Sequence, residues 1–412
     1  MWILISLKMH SKQNFINIKE IYKDMNLKSY SKKIRYSLFA IIFLIAFTAC
    51  SNANESSNDS EESTSIESAK NEDSEKTNEK ENNELTKDEE ESSETLEDNK
   101  EEKASDNSLE DANKNIIISA DEAKELIDEN KDKNLVIAEV TWGEADASKD
   151  YLKKHIPSAI HINTDSIEEG PLWNFKSDDE LVDSMLEYGI DKDTIVLLYG
   201  PDSGAPRVAL AYLMEGVDNV KLIDGGISAW EAAGFDTEDG ENKAEAKTDF
   251  KGEYPAHPEL IVSFDQAKKD IEDENSDKQY ITTRSYDEYI GKTSGYTYIP
   301  KAGELPGAIY GHDEADYKNA DGTYISYDDM VKMLEDEGVD INKDMVFYCG
   351  TGWRAALPLL KFYEKGIDAK LYDGGWNEWQ MHDELPVQVG DPKTDVIMTT
   401  VDELSNDKAS KE

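Results

Sequence analysis

The sequence predicts an α/β protein made of two copies of one domain in tandem, each a parallel sheet covered by helices on both faces. Three observations carry this. Pro157-Ser158-Ala159-Ile160 recurs as Pro306-Gly307-Ala308-Ile309, Asp224-Gly225-Gly226 as Asp373-Gly374-Gly375, and Trp230 as Trp379, always 149 residues apart. Within each copy, short apolar runs alternate with amphipathic stretches, as strands and helices in succession do. Residues 111–412 have ordinary apolar content and form a stretch long enough to bury one large core or two of usual size.

From the N-terminus, residues 1–50 carry eight basic and two acidic side chains. The apolar run at 37–49, SLFAIIFLIAFTA, follows Lys28, Lys32, Lys33 and Arg35. A charged segment followed by a short apolar one is the pattern of a secretory signal, and the run falls short of the roughly 20 residues a spanning helix needs. Thr48 and Ala49 put small residues directly before Cys50, so the segment resembles a bacterial lipoprotein signal with Phe47-Thr48-Ala49-Cys50 at its lipobox. That resemblance implies lipidation of Cys50, an extracytoplasmic location and attachment to the cell membrane. Phe47 departs from the usual Leu or Val, and Met25 would start a signal of more ordinary length. Residues 51–114 are Ser, Asn, Glu, Asp and Lys with little apolar content, which reads as a solvated acidic tether.

The first copy covers 115–238. Leu135–Val140, Thr194–Tyr199 and Val220–Ile223 read as strands, Ser177–Tyr188 and Val208–Glu215 as helices. A linker at 239–257 leads to the second copy, 258–392, with strands at Gln279–Thr283, Met345–Tyr348 and Lys370–Tyr372 and helices at Ser326–Glu337 and Ala355–Lys365. Residues 393–412 read as a polar tail with room for one short helix. The formal net charge is −46, of which 111–412 contribute −36. That balance argues against nucleic acid as a partner, because phosphate binding needs a basic surface. With Cys50 and Cys349 the only cysteines, no disulfide framework exists.

Cys349 is the residue that points to chemistry. It ends the strand Met345–Tyr348 and opens the turn Cys349-Gly350-Thr351-Gly352-Trp353-Arg354, after which a helical pattern begins. In such a turn backbone N–H groups converge at a positive helix end, which favours a thiolate and an anion held over the sulfur. Gly350 and Gly352 permit the curl; Arg354 adds a fixed cation. A buried, inert cysteine is the plainer alternative, and Trp353 reads as a packing lid. Gly200 stands 149 residues before Cys349, so the first copy has no nucleophile.

Taken together, these motifs resemble the rhodanese superfamily, in particular its two-domain sulfurtransferases, over about 115–392. The resemblance rests on Trp142, His155 to Ile160, Ala205-Pro206-Arg207, Asp224-Gly225-Gly226 with Trp230, Arg284 followed by Glu288-Tyr289-Ile290-Gly291, Cys349 to Arg354, and Tyr372 to Trp376 with Trp379. It implies two packed rhodanese folds with the active site in the second, Cys349 as nucleophile, and Gly350, Thr351, Gly352, Trp353, Arg354 and Arg284 around the substrate. Trp142 matches a family tryptophan that reaches the site's mouth from the first domain. The implied reaction takes a sulfane sulfur from thiosulfate or 3-mercaptopyruvate onto Cys349 as a persulfide and passes it to a thiol or cyanide. No metal or organic cofactor is implied, and His155 and His161 lack metal-ligand spacing with another His or Cys.

Some positions depart from the family pattern. Thr282 stands where an Asp is common, Glu288 where animal members carry a substrate-binding arginine, and Glu304 where a His is usual. Gly350-Thr351-Gly352 looks more like the mercaptopyruvate enzymes, and few cations at the mouth should weaken capture of dianionic thiosulfate. Two rival readings follow from the loop. Cysteine phosphatases place five residues between Cys and Arg to hold a tetrahedral phosphate, and here there are four. A surface-tethered module that holds sulfane sulfur or senses redox state without efficient turnover is the other. Tyr296, Tyr298, Tyr310, Tyr317 and Tyr324 fall in one long connection and read as loop packing.

Overall fold

The structure is a computed structural model that describes residues 115–131 and 133–411. The expected signal segment 1–50 with Cys50 and the acidic stretch 51–114 lie outside the described residues. The first domain runs β1 (Ile117–Ile118), α1 (Ala120–Asn130), β2 (Leu135–Thr141), α2 (Lys149–Lys153), β3 (Ile160–Asn163), the short hairpin β4 (Glu168–Glu169) and β5 (Asn174–Phe175), α3 (Asp178–Glu187), β6 (Ile195–Tyr199), α4 (Gly204–Glu215), β7 (Val220–Ile223) and α5 (Gly226–Ala232). The second runs β8 (Ile261–Val262), α6 (Phe264–Glu272), β9 (Gln279–Thr282), α7 (Tyr286–Tyr289), β10 (Ile309–Tyr310), α8 (Tyr327–Asp336), β11 (Met345–Tyr348), α9 (Trp353–Glu364), β12 (Ala369–Tyr372) and α10 (Gly375–Trp379). Both sheets are parallel and have one topology, β1-β7-β6-β2-β3 in the first and β8-β12-β11-β9-β10 in the second.

Strand periodicity sorts the core into layers. In β11, Met345 and Phe347 face the same buried cluster as Cys349, while Val346 and Tyr348 face the opposite one. The strand β6 behaves alike, with Val196 and Leu198 on one side and Leu197 and Tyr199 on the other. The inner cluster is continuous across both domains and includes α3, α4, α8 and α9; α1 and α5 cover the first sheet's outer face, α6 and α10 the second's. Each fully buried Leu, Val or Phe in these layers contributes roughly 1.5–3 kcal/mol. The two domains therefore share one core, and the Cys349 loop sits at its margin.

Residues 393–411 hold the short helical turn the sequence allowed for, at Val401–Glu403, but are not otherwise a polar tail. Asp395–Thr400 is a strand, β14, paired antiparallel with β13 (Pro386–Asp391), and the Asp391 side chain accepts from Lys393 N to shape the turn between them. The β-branched content of Asp395–Thr400 fits a strand. Beyond it Val401 is buried, and the backbone pairs with the connection that carries two of the tyrosines, through Lys408 N to Pro300 O at 2.9 Å and Ser410 N to Tyr296 O at 3.0 Å.

Candidate active site

Cys349 leaves β11 facing the shared core and is fully buried. The chain then curls through Gly350, Thr351 and Gly352, whose φ of +83° lies in the left-handed region that suits glycine. The turn is locked from behind by α10: Trp376 N donates to Cys349 O at 2.8 Å and Asn377 N to Gly350 O at 2.9 Å. Gly375 makes that approach possible, since a Cβ there would press into the Cys349 carbonyl. With its carbonyls turned back to α10, the loop leaves its N–H groups available. Among the described residues no protein acceptor takes those of Gly350, Thr351 or Gly352. This is the arrangement that stabilises charge on a sulfur or a bound anion.

Arg354, one residue into α9, is fully engaged. Its Nη1 and Nη2 donate to the two carboxylate oxygens of Glu288 at 2.9 Å each, Nη1 to Asp313 Oδ1 at 2.9 Å, and Nη2 to the Tyr296 hydroxyl at 3.1 Å. Glu288 is fixed by a capping box at α7, accepting from Ser285 N at 2.9 Å. Burial pushes the Glu288 carboxyl up, but the Arg354 contacts outweigh it and hold it below the usual range. Two carboxylates thus compensate one guanidinium, and Arg354 acts as a strut for the loop more than as a free cation. Tyr296 lies against Gly350, where a Cβ would collide with its ring, and Tyr298, half exposed, packs beside it with ring centroids 5.4 Å apart. These two tyrosines belong to the site; Tyr310 and Tyr317 pack as the sequence suggested, Tyr310 against Tyr286 and Tyr289, and Tyr317 with its hydroxyl on Gly311 O.

The other wall comes from the first domain. Trp353 Nε1 donates to Glu168 Oε1 on β4 at 2.7 Å. Arg207 of α4 reaches Glu168 Oε2 at 3.3 Å, Trp173 O at 3.2 Å and Asp373 Oδ1 at 2.5 Å, and stacks on Phe175 with its guanidinium carbon 3.6 Å from the ring centroid. A Cβ on Gly352 would strike this guanidinium. Trp173 also lies near Tyr298, with ring centroids 6.4 Å apart. Asp373 accepts from Phe175 N at 2.7 Å, and its counterpart Asp224 accepts from Tyr324 N at 2.7 Å. Both pairs are related by the 149-residue repeat, so each domain covers the other's loop by the same contact.

A family model described as the rhodanese-like domain matches residues 119–233 and 263–382. The chain belongs to the rhodanese-like family. It is 39% identical over 264 residues to thiosulfate sulfurtransferase YnjE of Escherichia coli (strain K12), covering 62% of this chain and 60% of that one, so it spans about three fifths of that relative's length. It is 24% identical over 286 residues to thiosulfate/3-mercaptopyruvate sulfurtransferase 1, mitochondrial, of Arabidopsis thaliana, covering 63% of this chain and 75% of the relative. Among solved structures, the crystal structure of YnjE is similar with a TM-score of 0.62 at 35% identity, covering 69% of each chain. An anaerobic ergothioneine biosynthesis enzyme from Chlorobium limicola, in complex with its natural substrate trimethyl histidine, is similar with a TM-score of 0.63 at 31% identity, covering 69% of this chain and 72% of that one.

Two expected substrate contacts are displaced in these rhodanese-like domains. Arg284 is fully buried, donating to Glu304 Oε2 at 2.6 Å, Gly303 O at 2.7 Å and Thr282 Oγ1 at 3.2 Å, and it serves the fold. Glu304 and Thr282, which depart from the family pattern, are its partners. Trp142 lines a different cavity, beside Gly200, and is 66% exposed with Nε1 donating to Asp165 Oδ1 at 3.1 Å. Trp173 stands nearer the loop from that side. Glu168 and Trp173 carry no signal in the sequence, and Arg207 stands out only as part of the Ala205-Pro206-Arg207 motif.

Burial pushes the Glu168 carboxyl up to about 7, against the pull of Arg207. A carboxyl whose folded value lies above its unfolded one binds more protons folded, so its contribution to stability falls as pH rises from about 4.5 to about 7. Glu168→Gln is therefore expected to remove part of the stability loss between pH 5 and pH 8. Urea denaturation of both forms at the two pH values checks this; an unchanged pH slope would contradict it.

Proposed function

We propose that this protein is a sulfurtransferase in which Cys349 carries the sulfur. The thiolate attacks the outer sulfur of a donor such as thiosulfate or 3-mercaptopyruvate; the donor's S–S or C–S bond breaks with its electron pair leaving on sulfite or on the pyruvate enolate. The outer sulfur of the Cys349 persulfide then passes to a thiol or cyanide, which regenerates the thiolate. The observation that carries this reading is the Cys349 loop itself, with its carbonyls tied to α10 and the N–H groups of Gly350, Thr351 and Gly352 without protein acceptors among the described residues. Names of relatives such as YnjE support it. Steady-state formation of thiocyanate from cyanide with each donor tests it. Absence of turnover with both would favour a module that holds sulfur or senses redox state.

The compensated Arg354 bears on the donor. Removing one of its two carboxylates by Asp313→Asn is expected to raise kcat/KM for dianionic thiosulfate about 3–10-fold at low salt, with the gain shrinking as salt rises. The same compensation, with the rings of Trp173, Tyr296 and Tyr298 nearby, favours a second reading of the acceptor as a small molecule bearing a quaternary ammonium, which aromatic faces and carboxylates attract. The likeness to the enzyme bound to trimethyl histidine supports that reading. Offering trimethyl histidine in place of cyanide, and looking for a product one sulfur heavier, separates the two.

We also propose that Cys50 is lipidated and holds the protein at the outer face of the cell membrane, on the strength of the apolar run at 37–49 and the small residues before Cys50. Cys50→Ala is expected to abolish incorporation of labelled palmitate and release the protein from the membrane fraction. Retention of label in the variant would contradict this.

A further inference from the structure

We infer that the first domain keeps a non-catalytic ligand site, the cavity beside Gly200, selective for a small organic anion with a planar apolar body. This goes beyond the reaction at Cys349 and does not rest on it. The cavity measures about 870 Å³, within the range of small-molecule sites. Gly200 occupies the place of the nucleophile, and no side chain can return there, because a Cβ would press into the Val140 carbonyl. The pocket around it has nevertheless not filled in. The second domain borders it on one side, through Lys318 and Tyr324, and Tyr324 N donates to Asp224 at 2.7 Å as Phe175 N does to Asp373 beside Cys349.

The lining carries four lysines, Lys149, Lys153, Lys154 and Lys318, against two carboxyls, Glu139 and Asp150. Two of these lysines are balanced by carboxylates just outside the lining, which leaves Lys149 and Lys153 as the cations offered to a ligand. Lys154 and Lys318 are paired with Glu231 and Glu314, while Lys149 and Lys153 are exposed and have no ion-pair partner among the described residues. Glu139 is buried in the floor, and burial pushes its carboxyl up to about 7, so near neutrality it opposes an anion only in part. Trp142 supplies the apolar face: its indole is 66% exposed, and its N–H is anchored on Asp165. An exposed indole held in one orientation beside lysines suits a flat anion.

Calorimetric titration of the full chain with benzenesulfonate, and with benzyltrimethylammonium as a cation of similar size, tests the inference. One benzenesulfonate per chain is expected to bind wild type and Cys349→Ser alike, and the cation at least tenfold more weakly. Lys149→Glu combined with Lys153→Glu, both on the surface, is expected to weaken benzenesulfonate about tenfold, and Trp142→Ala by a similar factor, with circular dichroism unchanged. The inference is overturned by no binding of benzenesulfonate at millimolar concentration, by equal binding of the cation, or by full affinity in the lysine and tryptophan variants. Loss of binding in Cys349→Ser would also overturn it, by moving the anion to the catalytic loop.

Discussion

Cys349→Ser is expected to lower sulfur transfer from every donor at least about 10³-fold, the scale on which loss of a covalent nucleophile acts. A serine hydroxyl at that position is a poor nucleophile toward sulfur at neutral pH and cannot form the persulfide. The loop around it should survive, because its carbonyls are held by Trp376 N and Asn377 N and its flank by Arg354 with Glu288, none of which involve the thiol. Cys349 lies in the shared core, so the buried hydroxyl is expected to cost about 1–2 kcal/mol of stability and no more. Thiocyanate formation together with urea denaturation checks both parts. A variant that keeps a tenth of the wild-type rate would refute the role given to this sulfur.

Arg284→Met is expected to act on the fold and not on the substrate. Both members of the Arg284–Glu304 pair are fully buried, and the guanidinium lies with its carbon 5.3 Å from the Trp376 ring centroid, on the helix that locks the catalytic loop. Removing the cation leaves Glu304 buried with only Tyr348 and Leu305 N as donors, and breaking such a pair costs about 3–5 kcal/mol. Arg284→Met with Glu304→Leu should recover most of that loss, since two apolar groups leave no charge unpaired. Chemical denaturation of the single and double variants measures the effect. A single variant as stable as wild type, with KM raised tenfold, would return Arg284 to the substrate.

The repeat made the fold readable. An offset of 149 residues joins motifs at strand ends, and the structure turns it into two sheets of one topology with Gly200 and Cys349 at equivalent places. The helices α4 and α9 begin earlier than their apolar periodicity suggests, at Gly204 and Trp353, because glycines and a positive φ hide the first turn from a pattern of apolar residues. The nucleophile and its loop were legible because their chemistry is contiguous. What surrounds the loop was not: Glu168 meets Trp353, Arg207 lies against Gly352 and Trp173 against Tyr298, each across more than a hundred residues, which no local pattern encodes. Arg284 and Trp142 misled for the converse reason. Their roles were carried over from the family resemblance, but burial against Glu304 and placement beside Gly200 are set by tertiary contacts that a motif does not encode. The strand at Asp395–Thr400 was masked by its charged and polar ends.

The most direct test of the account is the intact mass of the purified chain before and after a sulfane donor, with cyanide added last, in wild type and Cys349→Ser. Wild type is predicted to gain the mass of one sulfur atom from thiosulfate or 3-mercaptopyruvate and to lose it to cyanide, while Cys349→Ser gains nothing. No sulfur on wild type from either donor, or the same gain on Cys349→Ser, would contradict the claim that Cys349 carries the transferred sulfur.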